Sequence, residues 1–214
     1  MNLDLKADKI KDLENNLIEM CRKVESRLES TIEALLTRNF ELADYIYKSD
    51  NIIDDMEKEL EQKCLKILLL EHPYAAEFKA VSSVLKVITD LERIGDQSSD
   101  ICELIKIFEG QDYIKDLQHL PVMGKIAVSM VKDSVNAYVL KDLELANQII
   151  SLDDKVDELF LVIKKELGGY IRANIDNADQ AITFMMIAKY LERIADHAVN
   201  ICEWANYNIS GKRK

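Results

Sequence analysis

A chain of 214 residues can bury a sizeable core as one domain or two small ones. Its 39 acidic residues against 28 lysines and arginines leave a formal net charge of −11, which excludes a nucleic-acid binder built on clustered cations and a polybasic membrane anchor. Only 6 glycines and 2 prolines punctuate it, so its elements are long, and the wealth of Leu, Ile, Glu, Lys and Ala makes them helices.

The N-terminus is charged from Met1 to Asp12 and has no apolar stretch of the kind a signal peptide needs. The first helix carries Ile10, Leu13, Leu17, Met20, Val24, Leu28, Ile32 and Leu35, steps of three and four that make one stripe, and Asn39 ends it. A second helix starts at Phe40, turns Leu42, Ile46, Ile53, Met56, Leu60, Cys64 and Ile67 inward, and stops at His72-Pro73. The third presents Val81, Leu85, Ile88, Leu91, Gly95, Ser98, Cys102 and Ile105, with Gly110 as its stop. Pro121 opens a fourth, through Ile126, Met130 and Val139. The fifth begins at Asp142-Leu143-Glu144-Leu145-Ala146, buries Leu152, Val156, Leu159 and Ile163, and loosens at Gly168-Gly169. Asp176, Asn177 or Asp179 can each cap the sixth, whose stripe is Ile182, Met186, Leu191, Ala195, Ala198 and Cys202. The apolar runs are short, Ile67 to Leu70 among the longest, and a membrane span needs far more.

Two segments repeat. Leu91-Glu92-Arg93-Ile94-Gly95-Asp96 followed by Ile101-Cys102-Glu103 returns 100 residues later as Leu191-Glu192-Arg193-Ile194-Ala195-Asp196 followed by Ile201-Cys202-Glu203. Glu41-Leu42-Ala43 with Asp50 and Asp54 returns 103 residues later as Glu144-Leu145-Ala146 with Asp153 and Asp157. The expected fold is therefore all-α: two tandem, pseudo-symmetric three-helix bundles, residues 1–112 and 113–214, with six long antiparallel helices and a junction near Gln111 to Leu120.

Acids recur every fourth residue: Glu92, Asp96 and Asp100 on the third helix, Glu192 and Asp196 on the sixth, and Asp50 with Asp54 and Asp153 with Asp157 on the second and fifth. Such spacing stacks them on one helix face, where like charges repel unless a cation sits beside them. Beside them the inward positions shrink to Gly95, Ser98, Ala195 and Ala198, which lets backbones approach or leaves room for what the acids hold. Oxygen-only clusters suit hard cations such as magnesium, calcium, manganese or iron. The alternative is a solvated face neutralised by Arg93 and Arg193. His197 neighbours Asp196, but adjacent helical residues point about 100° apart. His72 and His119 read as loop residues. The thiols of Cys21, Cys64, Cys102 and Cys202 form no Cys-x-x-Cys and sit at core spacing, as in a reducing compartment. Trp204 and Tyr207 read as packing or interface residues.

The doubled Leu-Glu-Arg-Ile-Gly/Ala-Asp motif, with Glu41-Leu42-Ala43, Asp50, Asp54 and their fifth-helix counterparts, resembles the PhoU family of bacterial phosphate-uptake regulators over nearly the whole chain. The resemblance implies a cytoplasmic, non-enzymatic homodimer. Such a protein would be an adaptor between the ATPase subunit of a phosphate ABC transporter and a sensor histidine kinase, exerting negative control of the phosphate regulon. It also implies iron clusters or other divalent cations (Fe, Zn, Mg, Mn, Ni) on Glu/Asp-x-x-x-Asp motifs. Here those are Asp50, Asp54, Glu92, Asp96, Asp100, Asp153, Asp157, Glu192 and Asp196. Asn200 removes an acid from the second cluster, which is expected to bind metal less tightly. Glu77-Phe78-Lys79 stands where the family usually has Asp-Leu-Arg.

No phosphate loop or nucleophile elbow appears, which speaks against ATP chemistry or hydrolysis. A di-iron carboxylate oxidase would need Glu-x-x-His pairs, and Leu69, Asp116 and Ile194 stand three residues before the three histidines. A metal-free helical scaffold is the third reading. A net-negative face repels phosphate unless a cation intervenes, so no phosphate pocket of its own is expected.

Overall fold

The apolar stripes become buried helix faces. The fold, a computed structural model, describes residues 3–49, 51–70, 73–114 and 118–211, with side chains from residue 8 onward. Helices α1 (Leu3–Thr37), α2 (Phe40–Lys48), α3 (Asn51–Leu70) and α4 (Ala75–Lys106) are followed by α5 (His119–Leu140), α6 (Leu143–Ala173), a single 3₁₀ turn (Ile175–Asn177) and α7 (Ala178–Ser210). Leu13, Leu17, Met20, Val24, Leu28 and Leu35 on α1 are at most 1% exposed. Each such side chain contributes roughly 1.5–3 kcal/mol on burial.

The all-α, doubled three-helix architecture holds. One unit packs α1, the α2–α3 pair and α4, and the other packs α5, α6 and α7; they join through α4 against α7 and α1 against α5. In the second joint Gly124 brings α5 onto α1, because a Cβ at that position would lie 2.6 Å from Ile32 Cδ1. In the first, the two copies of the repeated motif meet antiparallel. Asp90 Oδ1 lies 2.8 Å from His197 Nδ1 and accepts a hydrogen bond from Asn200 at 3.3 Å. Near the loop end, Phe108 stacks on Phe184 at 4.5 Å and Tyr113 meets both edge-on. The Tyr113 hydroxyl donates to Leu35 O at 2.9 Å, fastening the connection between the units to α1.

Several local expectations are corrected. The second helix is two helices: its run ends at Lys48, where Ser49 folds back so that its N–H reaches Tyr45 O and Ile46 O, and a new helix begins at Asn51. Arg27 of α1 donates to Ser49 O and Oγ, holding that break against the bundle. Gly168 and Gly169 lie inside α6, which continues to Ala173 because Leu167 is anchored in the core and the Arg172 guanidinium folds back over the glycines. Neither Asp176, Asn177 nor Asp179 caps α7 with its side chain; Asn174 caps the 3₁₀ turn instead, accepting from Asp176 N. α4 ends before Gly110, and His119 is helical and contacts Glu166 of α6 at 2.8 Å. Ile182 and Met186 face outward, since α7 buries Ala181, Phe184, Ile187 and Ala188. Asp50, His72, Asp116 and the basic residues 212–214 lie outside the described residues.

All four cysteines are buried and none forms a disulfide, and burial pushes the thiols of Cys21, Cys64 and Cys202 up to about 12, as for small core hydrophobes. Among the described residues no helix is long and apolar enough to cross a membrane.

Asp142 caps α6 by accepting from Glu144 N and Leu145 N, each at 3.0 Å. Asp142→Ala is expected to cost about 1 kcal/mol and to lower the melting midpoint by about 2–4 °C, read by circular dichroism.

Candidate metal centre

α3 and α4 come together where α4 has no side chain. At Gly95 an added Cβ would lie 2.9 Å from Ile53 Cδ1 and 3.2 Å from Ile53 Cγ2. The small residue therefore serves close approach, and Ile53 fills the space. Asp54 follows Ile53 on α3, while Glu92 and Asp96 stand one turn apart on α4. Each offers a carboxylate oxygen, and these oxygens lie within 4.8 Å of one another.

Of these three half-buried carboxylates, Glu92 resists ionisation. Burial, then the charge of Asp96, raises the Glu92 carboxyl above its ordinary value. Arg93 opposes this from the side, with Nε 3.5 Å from Glu92 Oε2 and Nη1 3.3 Å from Asp96 Oδ2. Glu57, one turn beyond Asp54, is raised too, by burial first and then by Glu61 and Asp54. Its three-residue spacing from Asp54 was legible in the sequence, but the repeat pointed away from it, because the equivalent position in the second half is Phe160.

The second half differs. Its Asp153 carboxyl is pushed up to about 6 by burial and then by Asp196 and Asp157. Asp153 Oδ1 is buried and accepts no hydrogen bond. Among the described residues, however, only the Asp54, Glu92 and Asp96 oxygens converge as a group of three. Glu192 already has a cation: Lys189 bonds it directly and lies 5.5 Å from the Phe160 ring centroid. The first-half counterpart of Lys189 is Thr89, whose hydroxyl donates to Leu85 O.

Asp100 and Asn200 make their contacts across the α4–α7 joint. Asp100 accepts from the Tyr190 hydroxyl and raises its pKa, after burial has done so. Asn200 serves Asp90. The missing acid at 200 therefore reflects the joint between the units, where Asp90 and Tyr190 take the repeat-equivalent places. His197 has its Nδ1 against Asp90. A cleft of about 430 Å³ along this joint is lined by Arg93, Asp96, Asp100, Arg193 and Asp196.

The family model for the PhoU domain matches residues 17–105 and again 120–205. The chain belongs to the PhoU family. It is 35% identical over 205 residues to a phosphate-specific transport system accessory protein PhoU homolog of Clostridium acetobutylicum, covering 95% of this chain and 94% of that one. It is 32% identical to the homolog of Aquifex aeolicus, over 86% of this chain and 83% of that one. Among solved structures, PhoU from Pseudomonas aeruginosa superposes with a TM-score of 0.92 at 26% identity, over 96% of this chain and 99% of that one. The phosphate transport system regulatory protein PhoU from Streptococcus pneumoniae gives 0.89 at 25% identity, over 98% and 99%.

In this PhoU-family chain the first group fits a hard cation. Oxygens arranged around such an ion at about 2.0–2.6 Å lie within ~4–5 Å of one another. Among the described residues no nitrogen or sulfur ligand joins the group. The orphaned Asp153 oxygen and raised Asp153 carboxyl fit a cation in the second half as well, with Lys189 as its competitor.

For Asp153 the folded-state value, about 6, lies above its ordinary 3.8, so the residue favours folding at low pH and that contribution disappears as pH rises through about 6. In chelator-stripped protein Asp153→Asn is expected to raise stability at pH 7.5 by on the order of 1 kcal/mol after solvent screening. At pH 4 it should change little. Denaturant titrations at the two pH values check this.

Proposed function

We propose that this chain regulates phosphate transport by binding rather than by catalysis, and that a divalent cation on Asp54, Glu92 and Asp96 is part of its working form. The convergence of those three oxygens carries the cation reading. The role in phosphate-transport regulation is supported by the family and by the accessory-protein names of its relatives. The finer reading is an adaptor on the cytoplasmic side that couples the transporter's ATPase subunit to a sensor histidine kinase and holds the phosphate regulon down. Its working parts are two units, divided at 112–113, that present acidic rows on stiff helices.

The physical logic is charge neutralisation at one patch. Without a cation, Glu92 and Asp96 repel phosphate and any acidic partner group. A bound divalent ion offsets that repulsion and supplies a hard Lewis-acid centre to which an oxyanion or carboxylate of a partner can be drawn. The chain's own residues hold the ion, keep Arg93 beside it, and fix the patch on α3 and α4. The second row, Asp153, Asp157, Glu192 and Asp196, together with Asp50 and Asp100, belongs to the proposal as a weaker or outer set. Lys189 partly neutralises the second row. Among the described residues no histidine stands with the Asp54 group, so the oxidase alternative draws no support from its donor set.

One observation favours the metal-free scaffold: Arg93 already pairs with both Glu92 and Asp96. The two readings separate on chelator-stripped protein titrated with Mn²⁺ or Fe²⁺. Glu92→Ala with Asp96→Ala is expected to weaken the tightest uptake by on the order of 100-fold; unchanged uptake would leave the scaffold reading in place. Phosphate added to metal-free protein should give no tight binding, and heat evolved there would contradict the charge-neutralisation account. In cells, a deletion strain is expected to take up phosphate without normal repression in rich medium.

A further inference from the structure

The first carboxylate group depends for its geometry on two residues that carry no ligand atom. We propose that the Ile53–Gly95 contact is the spacer that keeps Asp54 within reach of Glu92 and Asp96, making Gly95 and Ile53 positioning residues for the cation site. This rests on the cation reading above.

The contact is adjacent to the ligands on both helices, since Ile53 precedes Asp54 and Gly95 precedes Asp96. It is also tight. A Cβ at 95 would lie 2.9 Å from Ile53 Cδ1, 3.2 Å from Cγ2 and 3.5 Å from Cβ. The contact under 3 Å is with the Cδ1 methyl, which in a close-packed core has no space to swing into about χ2, and Cγ2 at 3.2 Å can yield only by a few tenths of an ångström because a β-branched side chain is stiff within a helix. Ile53 is 2% exposed, with no open side to retreat into. A methyl group at 95 must therefore move α3 off α4, and Asp54 moves with it. Coordination distances tolerate only about 0.2 Å, so the displacement is felt at the ion.

The second half carries the same device with its parts redistributed. The positions equivalent to Ile53 and Gly95 are Val156 and Ala195, both fully buried, each again preceding an acid, Asp157 and Asp196. Going from Ile53 to Val156 removes one methylene group, and going from Gly95 to Ala195 adds one. The summed volume of the pair is conserved, which is the condition under which core substitutions are best tolerated. Neither change is tolerable alone if the spacing matters; together they are nearly neutral.

The test uses the full chain, stripped with chelator and titrated with Mn²⁺ by electron paramagnetic resonance, as wild type, Asp54→Asn, Gly95→Ala, and Gly95→Ala with Ile53→Val. Circular dichroism follows folding in parallel. Gly95→Ala is expected to weaken Mn²⁺ binding about tenfold, as loss of a supporting contact does, although alanine is the better helix former. The double variant should return to within about threefold of wild type. A merely structural role would lower the melting midpoint of Gly95→Ala and leave the affinity of the folded protein unchanged. That outcome overturns the inference, as does a double variant no better than Gly95→Ala. If Gly95→Ala does not fold, the double variant decides: it must fold and bind like wild type, and failure in either overturns the proposal. Wild-type binding that Asp54→Asn does not weaken removes the cation reading and this inference with it. Binding sensitive to Asp54→Asn but indifferent to Gly95→Ala removes the inference alone.

Discussion

The antiparallel contact of α4 with α7 is the constraint around which the other helices arrange themselves. Each three-helix unit has one helix that carries the repeated motif, and both of those helices are buried along much of their length. A unit by itself would leave the α4 or α7 face open to water. Placing the two motif helices against each other buries both faces at once and explains why the duplication occurs in tandem. The polar groups at the joint are consistent with this. Asp90 meets His197 and Asn200 at one level, and Tyr190 meets Asp100 at the other, so residues that break the sequence repeat are those that meet across the joint.

With the motif helices held centrally, the outer helices α3 and α6 carry their acids to the edges. Burial, and after it the neighbouring acids, makes charged carboxylates there unfavourable and raises the Glu92 and Asp153 carboxyls. The two halves meet that problem differently. The second places Lys189 against Glu192, supplying an ammonium from its own chain. The first has Thr89 at the corresponding place, with Arg93 3.5 Å from Glu92 and 3.3 Å from Asp96. An asymmetric pair of acidic rows on a symmetric scaffold follows: three carboxylate oxygens converge in the first, while a lysine meets Glu192 and a buried Asp153 oxygen is left without a hydrogen bond in the second.

Much of this was legible beforehand. Steps of three and four placed the core of α1 residue by residue, and the doubled motif implied two similar bundles. Glu92 and Asp96 were readable as one face of their helix, and Asp54 as an acid on its neighbour, because spacing by four is local geometry. What escaped was whatever depends on a second helix. Gly168-Gly169 reads as a helix end, yet packing of Leu167 carries the helix through it. Asp100 reads as the next acid in a row, yet successive fourth residues drift around the helix until Asp100 meets Tyr190. The break at Ser49 had no strong local signal and is held by Arg27 from α1.

The sequence by itself determined the all-helical class, the duplication and the identity of the acids, because periodicity and repetition are properties of one chain read along its length. Only the tertiary structure decided which acids converge, because convergence depends on the distance between helices. That distance is set by Ile53 seated on Gly95, a contact between residues 42 positions apart in the sequence. Neither residue carries a charge or a ligand atom, and no local pattern links the two.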